Sequence, residues 1–334
     1  MKIVWSIALA LSTGLALAET PAEKTAIELL LAKEQYNNTI RTVEQQTDYA
    51  SNPHWQELHA QALMGQQKNE DAAALLEKAI GQFPQNADLH QVAAMNNFSL
   101  AQQASIFSAP GYAKDGAAKL RKAIELAPDK TIFKLNLIGF YLQAPGIAGG
   151  DEKAGRQLAA DLAKSDAVGA AIASSMVLSH DEKITEAIQA IDAQLTANPE
   201  NARLLAQKAS LLRMNKQEAA ALPLYQQAAA HAEKPGSRHQ YLYQVGRIAA
   251  NTKQEISVGK EALLQVIEFY KDGEGQTAHL ARVKLAQIYL DENNTAAAEQ
   301  QLQPVLALKE PSERLENELK VVKKQLKKLT KKTS

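Results

Sequence analysis

The stretch from Pro53 to Pro84, PHWQELHAQALMGQQKNEDAAALLEKAIGQFP, constrains the chain more than any other. Two helical patterns meet here around a polar turn. Ala60, Ala72 and Ala79 stand where backbones must approach, Leu63 and Leu76 lie beside them, and Pro84 marks the exit. A small residue on a packing stripe lets a second helix come close, and Pro cannot continue a helix interior. The segment predicts a helical hairpin built to stack on copies of itself.

Copies are present. Leu212, Ala221, Tyr225 and Ala228 keep the mutual offsets of Leu63, Ala72, Leu76 and Ala79. Pro84-Gln85-Asn86-Ala87 recurs as Pro199-Glu200-Asn201-Ala202, a junction in which Pro ends one helix and Asn is placed to cap the next. Only 5% of residues are aromatic while Ala is abundant, which suits closely approaching helices and an all-α chain.

The spacing of Ala60, Leu63, Ala72, Leu76, Ala79 and Pro84 resembles the tetratricopeptide repeat (TPR), a helix-turn-helix unit of about 34 residues. The resemblance implies an all-α, right-handed superhelical solenoid of about eight hairpins over residues 19–310, followed by a capping helix and tail over 311–334. Residues 22–50 form an atypical first hairpin, as expected of a terminal repeat whose outer face meets water. Pro84 to Pro128 spans 44 positions, about ten more than one period, and the excess is expected between the helices of the third hairpin, around Ser105 to Gly116. In the fourth, Ala144-Pro145-Gly146-Ile147-Ala148-Gly149-Gly150-Asp151 joins the helices as a flexible turn. Near the C-terminus, Leu315, Leu319, Val322, Leu326 and Leu329 mark one amphipathic helix with a narrow apolar stripe and a Lys-covered face.

The first residues, MKIVWSIALALSTGLALA, have a basic start at Lys2, an apolar run and small residues before Glu19, the three parts of a secretory signal peptide. Cleavage is expected after Ala18, with export to a bacterial periplasm. The chain has no Cys, so neither lipid attachment at an N-terminal Cys nor a disulfide is available. No membrane span is expected after cleavage. Lys/Arg and Asp/Glu number 37 each, but from Pro311 onward eight Lys/Arg face three Glu, so the rest of the chain carries the complementary acidic excess. A nucleic-acid footprint over the whole chain is absent, whereas weak contact with an anionic surface through the tail is open.

No catalytic constellation stands out. Seven His are scattered without HExxH or Cys partners, and neither a G-x-S-x-G elbow nor a phosphate-binding G-x-x-x-x-G-K-[ST] loop occurs. No metal or cofactor is expected, and the chain is expected not to be an enzyme. The resemblance implies instead that one stripe of each hairpin's first helix lines a concave groove. Those positions are Glu57 and Gln61; Gln91, Met95 and Phe98; Asn136 and Phe140; Arg203, Ser210 and Arg213; Gln240, Tyr243 and Arg247; and Gln287. Arginines there can clamp a carboxylate. A second candidate is a loop edge where Ala109-Pro110-Gly111 and Ala144-Pro145-Gly146 meet, carrying Phe107, Tyr112, Pro145, Gly146, Gly149 and Gly150, in a region with four of the six Phe. The expected function is a periplasmic scaffold that holds a protein or peptide in the groove, in an envelope assembly. The alternative is a small-molecule accessory protein using the aromatic loop region 98–151.

Overall fold

The computed structural model describes residues 21–333, so the expected signal segment lies outside the described residues. Among these there are 17 α-helices, two short 3-10 turns and no strand. Sixteen helices pair in chain order: α1 (Pro21–Ala32) with α2 (Tyr36–Glu44), α3 (Pro53–Gly65) with α4 (Asn69–Gln82), α5 (Ala87–Gln103) with α6 (Ala109–Leu126), and α7 (Thr131–Gln143) with α8 (Glu152–Leu162). They continue with α9 (Ala167–His180) and α10 (Ile184–Ala197), α11 (Ala202–Met214) and α12 (Glu218–Ala230), α13 (Pro235–Thr252) and α14 (Ile256–Phe269), and α15 (Thr277–Asp291) and α16 (Thr295–Leu306). The last helix, α17 (Glu313–Thr333), stands alone.

One turn joins the two helices of most pairs. Glu34, Gln67, Glu182, Lys216 and Asn293 each hold a φ near +60°. The next residue's N–H then reaches back to a carbonyl five residues earlier, as in Gln35 to Leu30, Lys68 to Leu63, Lys183 to Leu178, Gln217 to Leu212 and Asn294 to Tyr289, all at 2.8–3.0 Å. This left-handed C-cap satisfies the first helix's last carbonyls and reverses the chain within three residues. The fourth residue of the following helix is small and buried in turn after turn: Ala72, Gly155, Ala187, Ala221, Gly259 and Ala298. Asn86 and Asn201 cap as expected, accepting from Leu89 N–H at 2.9 Å and Leu204 N–H at 3.1 Å.

The third and fourth pairs depart from this turn. The extra residues of the third are not a long loop between the helices, as their spacing suggested; they lengthen the helices themselves. α5 has 17 residues and α6 has 18, leaving only 104–108 between them. Pro110 lies in the first turn of α6, where a missing N–H costs nothing because that group has no helical partner anyway. The small contact residue moves one turn inward to Gly116. The fourth connection is not a flexible turn either. Gly149 takes φ +96°, Gly150 N–H donates to the Pro145 carbonyl at 3.2 Å, and Asp151 N–H donates to the Tyr141 carbonyl at 3.1 Å. The Asp151 carboxylate then caps α8 through Ala154 N–H at 2.9 Å.

Both ends of the array are covered. On α17, Leu315, Leu319 and Val322 are buried against Val283, Ala286 and Leu290 of α15 and Leu302 and Val305 of α16. Buried Lys284 pairs with Glu318, and Arg314 donates to the Tyr243 hydroxyl at 2.9 Å, which sets the register of α17 on the array. The first hairpin does not present an open face to water, contrary to expectation for a terminal repeat. It packs on the seventh and eighth pairs instead. Glu274 N–H donates to the Glu34 carbonyl at 2.8 Å, and Asn37 donates to the Glu274 carboxylate through its backbone at 2.7 Å and its side chain at 2.6 Å. Gln66 adds a bond to the same carboxylate at 3.2 Å, and the Thr277 hydroxyl donates to the Glu34 carboxylate. Burial pushes the Glu34 carboxyl up, with the Thr277 bonds opposing. Gly273 and Gly275 are required here: a Cβ would fall 2.5 Å from the Lys33 carbonyl oxygen and 2.1 Å from a Glu34 carboxylate oxygen. The chain of packed helices thus closes on itself, α1 against α13.

A Cβ placed on Gly236 of α13 lies 3.6 Å from Ala32 Cβ on α1, within the disulfide range of about 3.5–4.5 Å. The doubly substituted Ala32→Cys, Gly236→Cys protein, otherwise free of Cys, is expected to crosslink under mild oxidation and to melt higher when oxidised than when reduced. Failure of the pair to crosslink in the folded protein, read on a non-reducing gel, contradicts the closure.

Candidate functional site

The enlarged third and fourth pairs enclose one apolar groove of about 680 Å³. It arises because α6 begins with an extra turn while the α7–α8 connection folds down as a 3-10 turn over Gly146–Ala148. Ala109 and Pro110 from one and Ala144 and Pro145 from the other then line the same recess. The two Ala-Pro-Gly segments meet at one edge as the sequence implied, although the first is helical. On the floor, Phe98 of α5 and Phe140 of α7 stack with ring centroids 4.7 Å apart and planes 15° from parallel. Phe98 is held from behind by Gly116, whose missing side chain leaves room for the ring: a Cβ there would sit 2.6 Å from it.

The chemistry of the walls is simple. Among the described residues lining the groove none is charged. The polar side chains are the amides of Gln102, Asn136 and Gln143, and none of them has a hydrogen-bond partner among the described residues. Ile106 and Ile147 at the rim are 82% and 73% exposed. An uncharged recess with an aromatic floor and unpaired amides selects an apolar group flanked by backbone-like donors and acceptors.

Of the residues singled out in the sequence, Met95, Phe98, Asn136, Phe140 and Pro145 come together here. Gln91 lies on α5, half-buried and outside the lining. Phe107, 89% exposed, and Tyr112 are not in the lining, and Gly146, Gly149 and Gly150 shape the turn without lining it. Gln102, Ile106, Gln143, Ile147 and Ala148 were missed. For Ile106, Ile147 and Ala148 the signal was composition rather than motif, apolar residues beside the two Ala-Pro-Gly segments; Gln102 and Gln143 carried none.

The remaining groove positions divide. Glu57, Gln61 and Gln240 line a separate recess where the first hairpin meets α13, with Gln61 donating to Glu57 at 2.8 Å. Tyr243 is buried and bonded to Arg314 of α17, and Gln287 donates to the Ala250 carbonyl at 3.0 Å, so both serve the packing of the last pairs. Arg203 is exposed at the start of α11, and Ser210 is half-buried on the same helix. Arg213 lies 3.7 Å from Glu218, and burial together with neighbouring Arg213 lowers the pKa of Arg247. These arginines do not join the apolar groove.

No family model and no curated protein matches the sequence. Solved structures do match in shape. Yeast Tom70 superposes with a TM-score of 0.55 at 15% identity, over 88% of this chain and 59% of that one. A chain of the APC/C hetero-tetramer Cut9-Hcn1 gives 0.48 at 11% identity, over 91% and 57%, and a tetratricopeptide repeat protein from Parabacteroides merdae gives 0.42 at 11%, over 90% and 99%. The chain spans under two thirds of the length of Tom70 and of the Cut9-Hcn1 chain.

The Gly116 contact yields a test. Gly116→Ala is expected to displace the Phe98 ring or destabilise the fold by about 1–3 kcal/mol through overpacking; the companion Gly111→Ala, where a Cβ meets nothing within 4 Å, is expected to be near neutral. Equal melting temperatures for the two variants contradict the placement of Phe98. In fold, the described chain is a tetratricopeptide-repeat solenoid closed by its own first hairpin.

Proposed function

We propose that this protein is a non-catalytic scaffold that binds a polypeptide segment through the groove between its third and fourth hairpins. The observation that carries it is the groove's chemistry: a stacked Phe98–Phe140 floor, no charged lining residue, and three unpaired amides placed to bond a peptide backbone beside an apolar anchor. The occupant is an uncharged stretch carrying a large aliphatic or aromatic residue, because a charged side chain would lose its hydration in the recess without gaining a partner. The solenoid fold supports the reading, since stacked hairpins present extended surfaces to partner chains. A nucleic acid fits poorly, its phosphates finding no cation in the lining.

The place of action follows from residues 1–18, whose charge, apolar run and small-residue end support export to the periplasm and a role within the cell envelope. The mature chain recovered from cells is expected to begin at Glu19, as read by intact mass. A chain retaining Met1 overturns the proposed location and leaves the groove reading standing.

For the groove, Phe98→Ala with Phe140→Ala is expected to weaken binding to peptides selected from a displayed library by at least about ten-fold, as loss of a central aromatic anchor does. Selected peptides are expected to share an uncharged apolar anchor. Gln91→Ala, outside the lining, serves as the control and leaves affinity unchanged. Circular dichroism melts of each variant separate lost binding from lost fold. If peptides bind equally to wild type and double variant, or if only a small molecule is retained in native mass spectrometry, the proposal fails.

A further inference from the structure

The sequence marked α17 as amphipathic, and its two faces are now assigned. The apolar face is used up: Leu315, Leu319 and Val322 are buried in the last hairpin, with Leu326 and Leu329 packed beside them. Opposite them, Lys320, Lys323, Lys324, Lys327, Lys328 and Lys331 are all exposed. At about 100° per residue these six fall within an arc of about 140°, and at about 1.5 Å per residue they run for about 16 Å along the axis. None of their ammonium groups takes part in an ion pair or hydrogen bond among the described residues, and the acidic residues of α17 all lie at or before Glu318. The helix dipole accounts for cations in the last turn alone. Lys320, Lys323 and Lys324 lie well before it; Glu316 stands one turn ahead of Lys320, and none of the three ammonium groups is in an ion pair among the described residues.

We propose that this stripe is a docking surface for the anionic face of a lipid bilayer, engaged by charge without insertion. Three features favour a membrane plane. The stripe is straight and lies opposite the buried leucines, so a flat anionic surface can meet it along its length. It is rigid, because the buried leucines, the Lys284–Glu318 pair and the Arg314–Tyr243 bond hold α17 in place. The same burial denies it the apolar face that an interfacial helix sinks among acyl chains. Contact therefore depends on anionic headgroups and on ionic strength, each lysine adding an increment that falls off within a Debye length.

The experiment is vesicle co-sedimentation of the wild-type protein and of a six-fold variant, Lys320→Gln, Lys323→Gln, Lys324→Gln, Lys327→Gln, Lys328→Gln and Lys331→Gln, both with the same N-terminus. All six positions are exposed, so the variant is expected to keep its helicity and melting temperature. Vesicles of phosphatidylcholine with about 30% phosphatidylglycerol are expected to bind wild type at about 0.05 M salt and to release it at about 0.5 M. The variant is expected to bind at least ten-fold more weakly, and pure phosphatidylcholine to bind neither protein. Salt-resistant binding, equal binding of the folded variant, or binding to neutral vesicles overturns the proposal. Tighter binding to duplex DNA than to anionic vesicles at equal ionic strength also overturns it and assigns the stripe to a nucleic acid.

Discussion

Seven of the eight described pairs depend on two helices approaching at a position that has almost no side chain. The fourth residue of the second helix is Ala or Gly in six pairs, and the cost of anything larger is visible at the glycines. A Cβ on Gly246 would fall 2.3 Å from Leu263, and one on Gly259 would fall 2.2 Å from Ala249 Cβ. These contacts let Leu76, Leu263 and Leu302 drop into the space between helices, where they are fully or nearly fully buried. Interiors this close-packed do not accept an added methylene without moving a helix.

Closure of the array rests on a different chemistry. Between neighbouring pairs the helices meet through apolar cores, but the meeting of the first hairpin with the 270–277 segment is polar, built on the two carboxylates of Glu34 and Glu274. Around it, burial raises the pKa of Tyr270 to about 12, and burial also raises that of Tyr36. Hydrogen bonds demand geometry where apolar contacts tolerate sliding, so this contact fixes one relative placement of the two ends. Gly273 and Gly275 make the approach sterically feasible.

The groove exists because two successive pairs abandon the turn that five of the others share. With Ala104 and Ala144 extended at the helix ends in place of a left-handed cap, the connections project and bring Ile106, Pro110, Pro145 and Ile147 around the Phe98–Phe140 stack. The regular turns give curvature and stability; the irregular ones make a recess whose lining is both aromatic and free of charge.

By itself the sequence determined the architecture, because it is written in short-range terms: Ala and Gly at matched offsets, Asn caps after Pro, and a 3.6-residue stripe on α17. It marked five of the groove's lining residues, since Met95, Phe98, Asn136, Phe140 and Pro145 belong to helix stripes and a Pro-Gly turn readable in one dimension. It could not place the extra residues of the third pair, because a Pro in the first turn of a helix and a Pro in a loop look alike in sequence. The five shared turns left no glycine signal either, since Glu34, Gln67, Glu182, Lys216 and Asn293 bear the left-handed conformation themselves. Only the tertiary structure decided which groove arginines and tyrosines are already engaged, Tyr243 by Arg314 foremost, and that Glu34 meets Thr277 across 243 positions of chain. That contact follows from curvature summed over many pairs, and no local pattern of residues carries it.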